Sequence, residues 1–175
     1  MWMHLRQNSP DNSYDFIVVS NVIHHLAFPS KFFLECQRIL KPNGILVIQE
    51  IETSLLMRMI LRVMKHEGYD EMTNVYDVSV PCNNPLDPWS ANCSIPKLLF
   101  ASSERFEDSF PNFSIVSNRL SECFIFLNSG GVVAKTRYIP MSNFFLKITN
   151  LIDLLLVLIA PRIFALQRQI VLKKN

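Results

Sequence analysis

The sequence predicts an α/β fold on three observations. Residues 15–20 (DFIVVS) and 45–49 (ILVIQ) are runs rich in β-branched residues, the first without polar alternation. Such runs suit strands of a parallel sheet covered on both faces. Between them, residues 30–40 repeat apolar side chains at helical spacing. Phe32, Phe33, Cys36, Ile39 and Leu40 share one face, with Lys31, Glu35 and Arg38 elsewhere. Two buried strands joined by a helix within so short a span make a βαβ unit, whose crossover is right-handed.

The other elements are arranged around residues 12–50. Residues 1–9 are weakly patterned, and 10–13 (PDNS) form a turn cluster. Residues 21–26 are the loop at the carboxyl end of the first strand. Pro42 stops the helix, and Asn43-Gly44 supplies the turn into the second strand. A second helix runs over 54–66, capped by Thr53 or Ser54. Arg58, Arg62 and Lys65 form its outer stripe, and Leu55, Met59, Val63 and Met64 face inward. Residues 67–96 are rich in proline and asparagine and read as a lid or covering loop. Residues 95–110 read as a helix with Phe106 and Phe110 inward, 114–128 as one long strand or two, Ser129-Gly130-Gly131 as a turn and 167–173 as a short strand. The organisation is a single domain, 1–175, with its core at 12–52, the lid at 67–96, an apolar helical insertion at 140–165 and a closing strand at 166–175.

Composition narrows the function classes. A chain of 175 residues with 49% apolar and 11% aromatic residues builds a globular core. A net charge of +2, with Lys and Arg scattered, argues against nucleic-acid binding. Cys36, Cys82, Cys93 and Cys123 form no C-x-x-C pair, so no metal site is expected. Cys36 and Cys123 fall in apolar patterns, and a Cys82–Cys93 disulfide would need an oxidising compartment. No basic region precedes an apolar run at the N-terminus, which reads as cytoplasmic. Residues 144–165 are the most apolar segment, but the uninterrupted run, 154–161, falls short of the ~20 residues a spanning helix needs. That length favours a helix packed on the protein; a helix on the membrane surface, and so a peripheral membrane contact, is the other placement.

Ligands of open α/β sheets bind beyond the carboxyl ends of the strands. Those ends are Ser20-Asn21-Val22, followed by His24-His25, and Glu50-Ile51-Glu52. A neutral imidazole accepts a proton near neutral pH, so His25, with His24 as alternate, is the candidate general base. The plainer alternative is that one histidine caps the next helix or packs under the lid. Of Glu50 and Glu52, one would line the pocket and the other face solvent. His66-Glu67 reads as a solvated helix terminus.

The pieces Ser13-Tyr14-Asp15-Phe16, Asn21-Val22-Ile23-His24-His25-Leu26 and Arg38-Ile39-Leu40-Lys41-Pro42-Asn43-Gly44, then the strand to Glu50, stand in an order and spacing that resembles class I S-adenosylmethionine-dependent methyltransferases. A looser likeness, over 65–68, 94–100, 127–131 and 164–169, is to bacterial methyltransferases of surface-polysaccharide gene clusters. The resemblance implies the C-terminal half of a Rossmann-like sheet, with 15–20 and 45–49 as its fourth and fifth strands. Segments 114–128 and 167–173 would be the antiparallel closing pair, with the helical insertion between them. It implies S-adenosylmethionine as cofactor, bordered at its methionine end by Ser20, Asn21 and Val22. It also implies O-methylation of a glycan or related small metabolite. By residue type Tyr76, Asp87 and Trp89 on the lid are candidate sugar contacts, with plain packing the alternative for the two aromatics. A base is not obligatory, because methyl transfer can rest on in-line positioning alone.

The sequence departs from the family at the cofactor loop. The pattern D-x-G-x-G-x-G has no counterpart, and none of Gly44, Gly68, Gly130 and Gly131 lies in such a loop. An acidic residue at the ribose is also missing, and Met3 or His4 stands where one would meet adenine. The expectation is a fragment lacking the first three strands, with cofactor binding incomplete in this chain alone. The strand at 15–20 would then offer an unpaired edge to an N-terminal half or to a second copy as a homodimer.

Overall fold

A computed structural model describes residues 9–65, 67–87, 89–128 and 138–175. Met3, His4, His66 and the turn expected at Ser129-Gly130-Gly131 lie outside them. The described residues form a four-stranded mixed sheet with helices, in the order β1 (Tyr14–Ser20), α1 (Pro29–Ile39), β2 (Leu40–Ile51), α2 (Leu55–Met64), α3 (Ile95–Phe100), α4 (Ser103–Ser109), β3 (Phe113–Ser121), α5 (Phe124–Asn128), α6 (Asn143–Ile159), α7 (Pro161–Phe164) and β4 (Gln167–Lys174). The strand order is β1-β2-β4-β3. β1 and β2 are parallel, and β4 runs antiparallel to both β2 and β3. The expected βαβ unit and antiparallel closing pair are therefore both present.

The core lies on one face of the sheet. Val19, Leu46, Ile48, Ile170 and Leu172 project from alternate strand positions into α1, α3 and α4. Phe33 stands at the centre, its ring 5.2 Å from Phe106, 5.1 Å from Phe110 and 6.0 Å from Phe100. Phe100 and Phe106 meet it edge-on and Phe110 at a tilt, contacts that add to the burial of each ring. On the opposite face Phe16 and Val18 of β1 are exposed, so among the described residues β1 is covered on one face rather than two.

Several elements differ from expectation for identifiable reasons. Helix α1 ends at Ile39, before Pro42, because Leu40 is already extended and pairs with Tyr14. Pairing resumes at Phe16 and Ile45, so Lys41-Pro42-Asn43-Gly44 loops out within β2 rather than turning the chain. Asn43 adopts φ 64°, and a Cβ on Gly44 would lie 2.8 Å from the Lys41 carbonyl oxygen. The segment expected as one helix at 95–110 is two, because Ser102 starts a new one by accepting the Arg105 N–H. The segment at 114–128 holds one strand; Glu122, at φ 55°, ends it and α5 follows. The apolar helix breaks at Ala160, before Pro161, as the residue preceding a proline disfavours helical backbone.

Helix α2 keeps Arg62 and Lys65 exposed and Met64 partly buried as expected, but departs at its other positions. Leu55, Met59 and Val63 are exposed, and Met57 and Leu61 are buried against Ile51, Phe126 and Leu166. Arg58 explains the phase: its guanidinium lies over the Tyr69 ring and donates to Thr53 O and to Glu71. A cation satisfied on the protein surface did not mark the solvent side. Ser54, rather than Thr53, caps the helix, accepting from the Met57 N–H. All four cysteines are free thiols, so Cys82 and Cys93 are not paired.

Candidate functional site at the carboxyl rim

The rim is organised by Glu50, the penultimate residue of β2. Its Oε2 accepts from His24 Nδ1 at 2.6 Å, while Oε1 accepts the backbone N–H groups of Val22 and Ile23, each at 2.5 Å. Glu50 is fully buried. A carboxylate tolerates such burial when several donors face it. It folds the post-β1 loop into one 3-10 turn over Ile23–His25. Glu52 is also buried, paired with Arg168 Nε at 2.6 Å, so neither carboxylate faces solvent as one was expected to.

The two histidines are thereby made unequal. His24 is buried, and burial alone would lower its pKa. The hydrogen bond that His24 donates to Glu50 and the charges of Glu50 and Glu67 outweigh that and raise it. His25 is half-buried, and its pKa is lowered by burial and by the neighbouring His24 ring, 4.2 Å away. Its Nδ1 faces the Ser90 carbonyl at 3.3 Å. A carbonyl can only accept, which puts the His25 proton on Nδ1 and the lone pair on Nε2. His24 is therefore a fixed, hydrogen-bonded group, and His25 carries the available basic nitrogen.

The segment between α2 and α3 clamps this turn through hydrogen bonds. Asn92 N and Asn83 Nδ2 both donate to His24 O, at 2.9 and 2.8 Å, and Asn83 also donates to Leu26 O. Asn83, Asn84, Ser90 and Asn92, with Tyr69 and Asp70, line an open groove of about 450 Å³ that backs onto the histidine turn. Sequence reasoning passed over these asparagines; the only local signal was their density in a segment without apolar periodicity. Of the expected lid contacts, Tyr76 is packed, donating its hydroxyl to Leu99 O, whereas Asp87 and Trp89 are exposed.

Glu67 joins the site from beyond α2. Its Oε2 lies 3.9 Å from His24 Nε2 and accepts from the Cys93 thiol at 3.0 Å. Burial, then the Glu67 carboxylate, pushes that thiol well up, so it stays protonated. His24, His25 and Glu67 each bring a donor atom to within 4.8 Å of the others, a donor set with metal-ligand chemistry that C-x-x-C spacing could not reveal. With Nδ1 held by Glu50, His24 has only Nε2 to offer.

At the three residues expected to border the cofactor, the available groups are few. Ser20 is exposed, Asn21 is held at φ 50°, and the Val22 N–H is engaged by Glu50. The Asn21 amide lies 3.5 Å from the Ser20 hydroxyl. Among the described residues no Gly-rich loop faces them.

Residues 4–48 match the family model described as a methyltransferase domain, the stretch that contains β1, the histidine turn, α1 and most of β2. No curated protein matches the sequence. Among solved structures, a SAM-dependent methyltransferase from Archaeoglobus fulgidus aligns over 99% of this chain and 64% of its own, with 17% identity and a TM-score of 0.50. A SAM-dependent methyltransferase from Methanosarcina mazei aligns over 97% of this chain and 63% of its own, with 15% identity and a TM-score of 0.47. The chain thus spans less than two thirds of either structure. Its fold is that of the class I S-adenosylmethionine-dependent methyltransferases, and residues 4–48 carry the sequence pattern of their domain.

Proposed function

We propose that this chain is part of an S-adenosylmethionine-dependent methyltransferase that methylates a hydroxyl of a glycan or related small metabolite. One observation carries the reading: the segment matching the methyltransferase domain contains a turn, clamped by Glu50 just beyond that segment, that leaves His25 Nε2 as a neutral base at the carboxyl rim. S-adenosylmethionine, when bound, supplies the methyl group. Ser20, Asn21 and Val22 border its methionine end. His25 Nε2 takes the proton from the acceptor hydroxyl as the oxygen gains its methyl. Glu50 and His24 hold the turn that positions it. The groove lined by Asn83, Asn84, Ser90 and Asn92 offers amide and hydroxyl groups, which suit a hydroxyl-rich acceptor.

Titration of the labelled protein with S-adenosylmethionine, followed by amide NMR, tests the placement. Shifts confined to Ser20–Val22 and the histidine turn, with weak affinity, are expected. No shift at those amides, or shifts centred elsewhere, would refute it. Transfer of labelled methyl to a glycan panel, lost in His25→Gln, tests the reaction.

A second reading is favoured by the edge position of β1, which pairs only with β2 among the described residues. Here the chain is a non-catalytic module that completes a methyltransferase by pairing β1 with a separate N-terminal half or with a second copy. Co-expression with a candidate half and pull-down through either partner separates the two readings.

A further inference from the structure

Helix α6 is built with its polar anchor inside and its aliphatic side chains outside. Asp153, 2% exposed, is the sole acidic residue of the helix. Its Oδ2 accepts the N–H groups of Cys123 and Ile125 and its Oδ1 that of Phe124, each at 2.9 Å. With Val157 it forms the buried stripe, and so fixes the rotation of α6. Phe144, Leu151, Leu154, Leu155, Leu158 and Ile159 are consequently exposed; Leu158 retains 75% of its surface and Ile159 79%.

The exposed apolar surface continues beyond α6. Helix α7 adds Ile163, and α2, packed beside α7, adds Leu55, Met59 and Val63. The charges on these helices are of one sign. Arg62, Lys147 and Arg162 are exposed, and α2, α6 and α7 carry no acidic residue besides the buried Asp153. A second copy docking through the same surface would set Arg and Lys against Arg and Lys, which opposes association. A surface that is both apolar and anionic complements it. No helix among the described residues is long and apolar enough to cross a membrane, so such a helix can only lie in the interface.

We propose that α2, α6 and α7 dock this protein onto an anionic lipid bilayer, the aliphatic side chains entering the acyl boundary and Arg62, Lys147 and Arg162 meeting headgroup phosphates. This stands independently of the methyltransferase reading, because no residue of the histidine turn takes part.

Vesicle flotation of the full chain tests it, with phosphatidylcholine vesicles containing phosphatidylglycerol, with phosphatidylcholine alone, and with sedimentation velocity in the absence of lipid. The chain is expected to float with the anionic vesicles, less so at high salt. Leu158→Glu with Ile159→Glu should lower the partition at least ~tenfold while the circular dichroism melt stays in place, since both side chains are exposed. Lys147→Glu with Arg162→Glu should weaken binding to anionic vesicles and leave any partition onto neutral ones unchanged. A chain that stays in the soluble fraction with anionic vesicles overturns the proposal. Flotation undiminished in the Leu158/Ile159 variant overturns it too. So does a lipid-free oligomer that this variant dissociates without any flotation, which would assign the surface to a second copy.

Discussion

Glu50 accepts the Nδ1 hydrogen of His24 at 2.6 Å, in a place where neither side chain reaches solvent. One carboxylate at the end of β2 thus sets the shape of the loop after β1 and the chemical state of its first histidine. Replacing it with an amide turns an acceptor toward His24 into a donor. Glu50→Gln is expected to cost about 3–5 kcal/mol, the range for breaking a buried pair. Urea unfolding measures it; a loss within the error of the wild-type midpoint would show that the clamp is not structural.

His24 makes stability depend on pH. Its folded-state pKa lies above the ordinary 6.5, so the stability it adds is complete below about pH 6.5 and is lost as pH rises through the folded value. The gap in melting temperature between wild type and His24→Gln should therefore narrow toward alkaline pH. A gap that widens there would place the proton elsewhere.

His25 is shifted the other way, below 6.5, by burial first and by His24 second. If it is the base, the acid limb of the pH–rate profile should fall below pH 6.5, and His25→Gln should lower the rate roughly 10²–10⁴-fold. A profile whose acid limb sits above that value would separate this histidine from the proton transfer.

Asp153 caps the start of α5 from 30 residues away. Asp153→Ala leaves three N–H groups without their acceptor and should cost about 2 kcal/mol. The same change should raise amide exchange in α5 more than in β1. Uniform exchange across both would mean that the cap is not local.

How much of this was readable depended on distance along the chain. β1 and β2 were legible as short runs of β-branched residues, and the α1 face led by Phe33 followed from helical spacing. The phase of α2 was not, because Arg58 is satisfied by Glu71 and Tyr69, residues outside the helix. The inward turn of Asp153 was not legible either, because the N–H groups it meets at the start of α5 lie 28 to 30 residues away. At the site, His24 and His25 were found from their position after a buried strand. Their inequality was hidden, because it comes from Glu50, Glu67 and Ser90, up to 65 residues away. Asn83 and Asn92 act through backbone oxygens, which no residue pattern announces.

Strand β4 comes after β3 in the chain yet lies between β2 and β3 in the sheet. Arg168 marks the junction, reaching Glu52 of the β2 end, Phe100 O at the end of α3 and Asn118 of β3. Closing β2 onto β4 joins residues 116 apart, and β3 has no place in the sheet until that closure is made. The sheet should therefore assemble late and come apart as a cooperative unit from this side. Loosening β4 releases β3 with it, whereas β1 can peel away while the other three strands hold together.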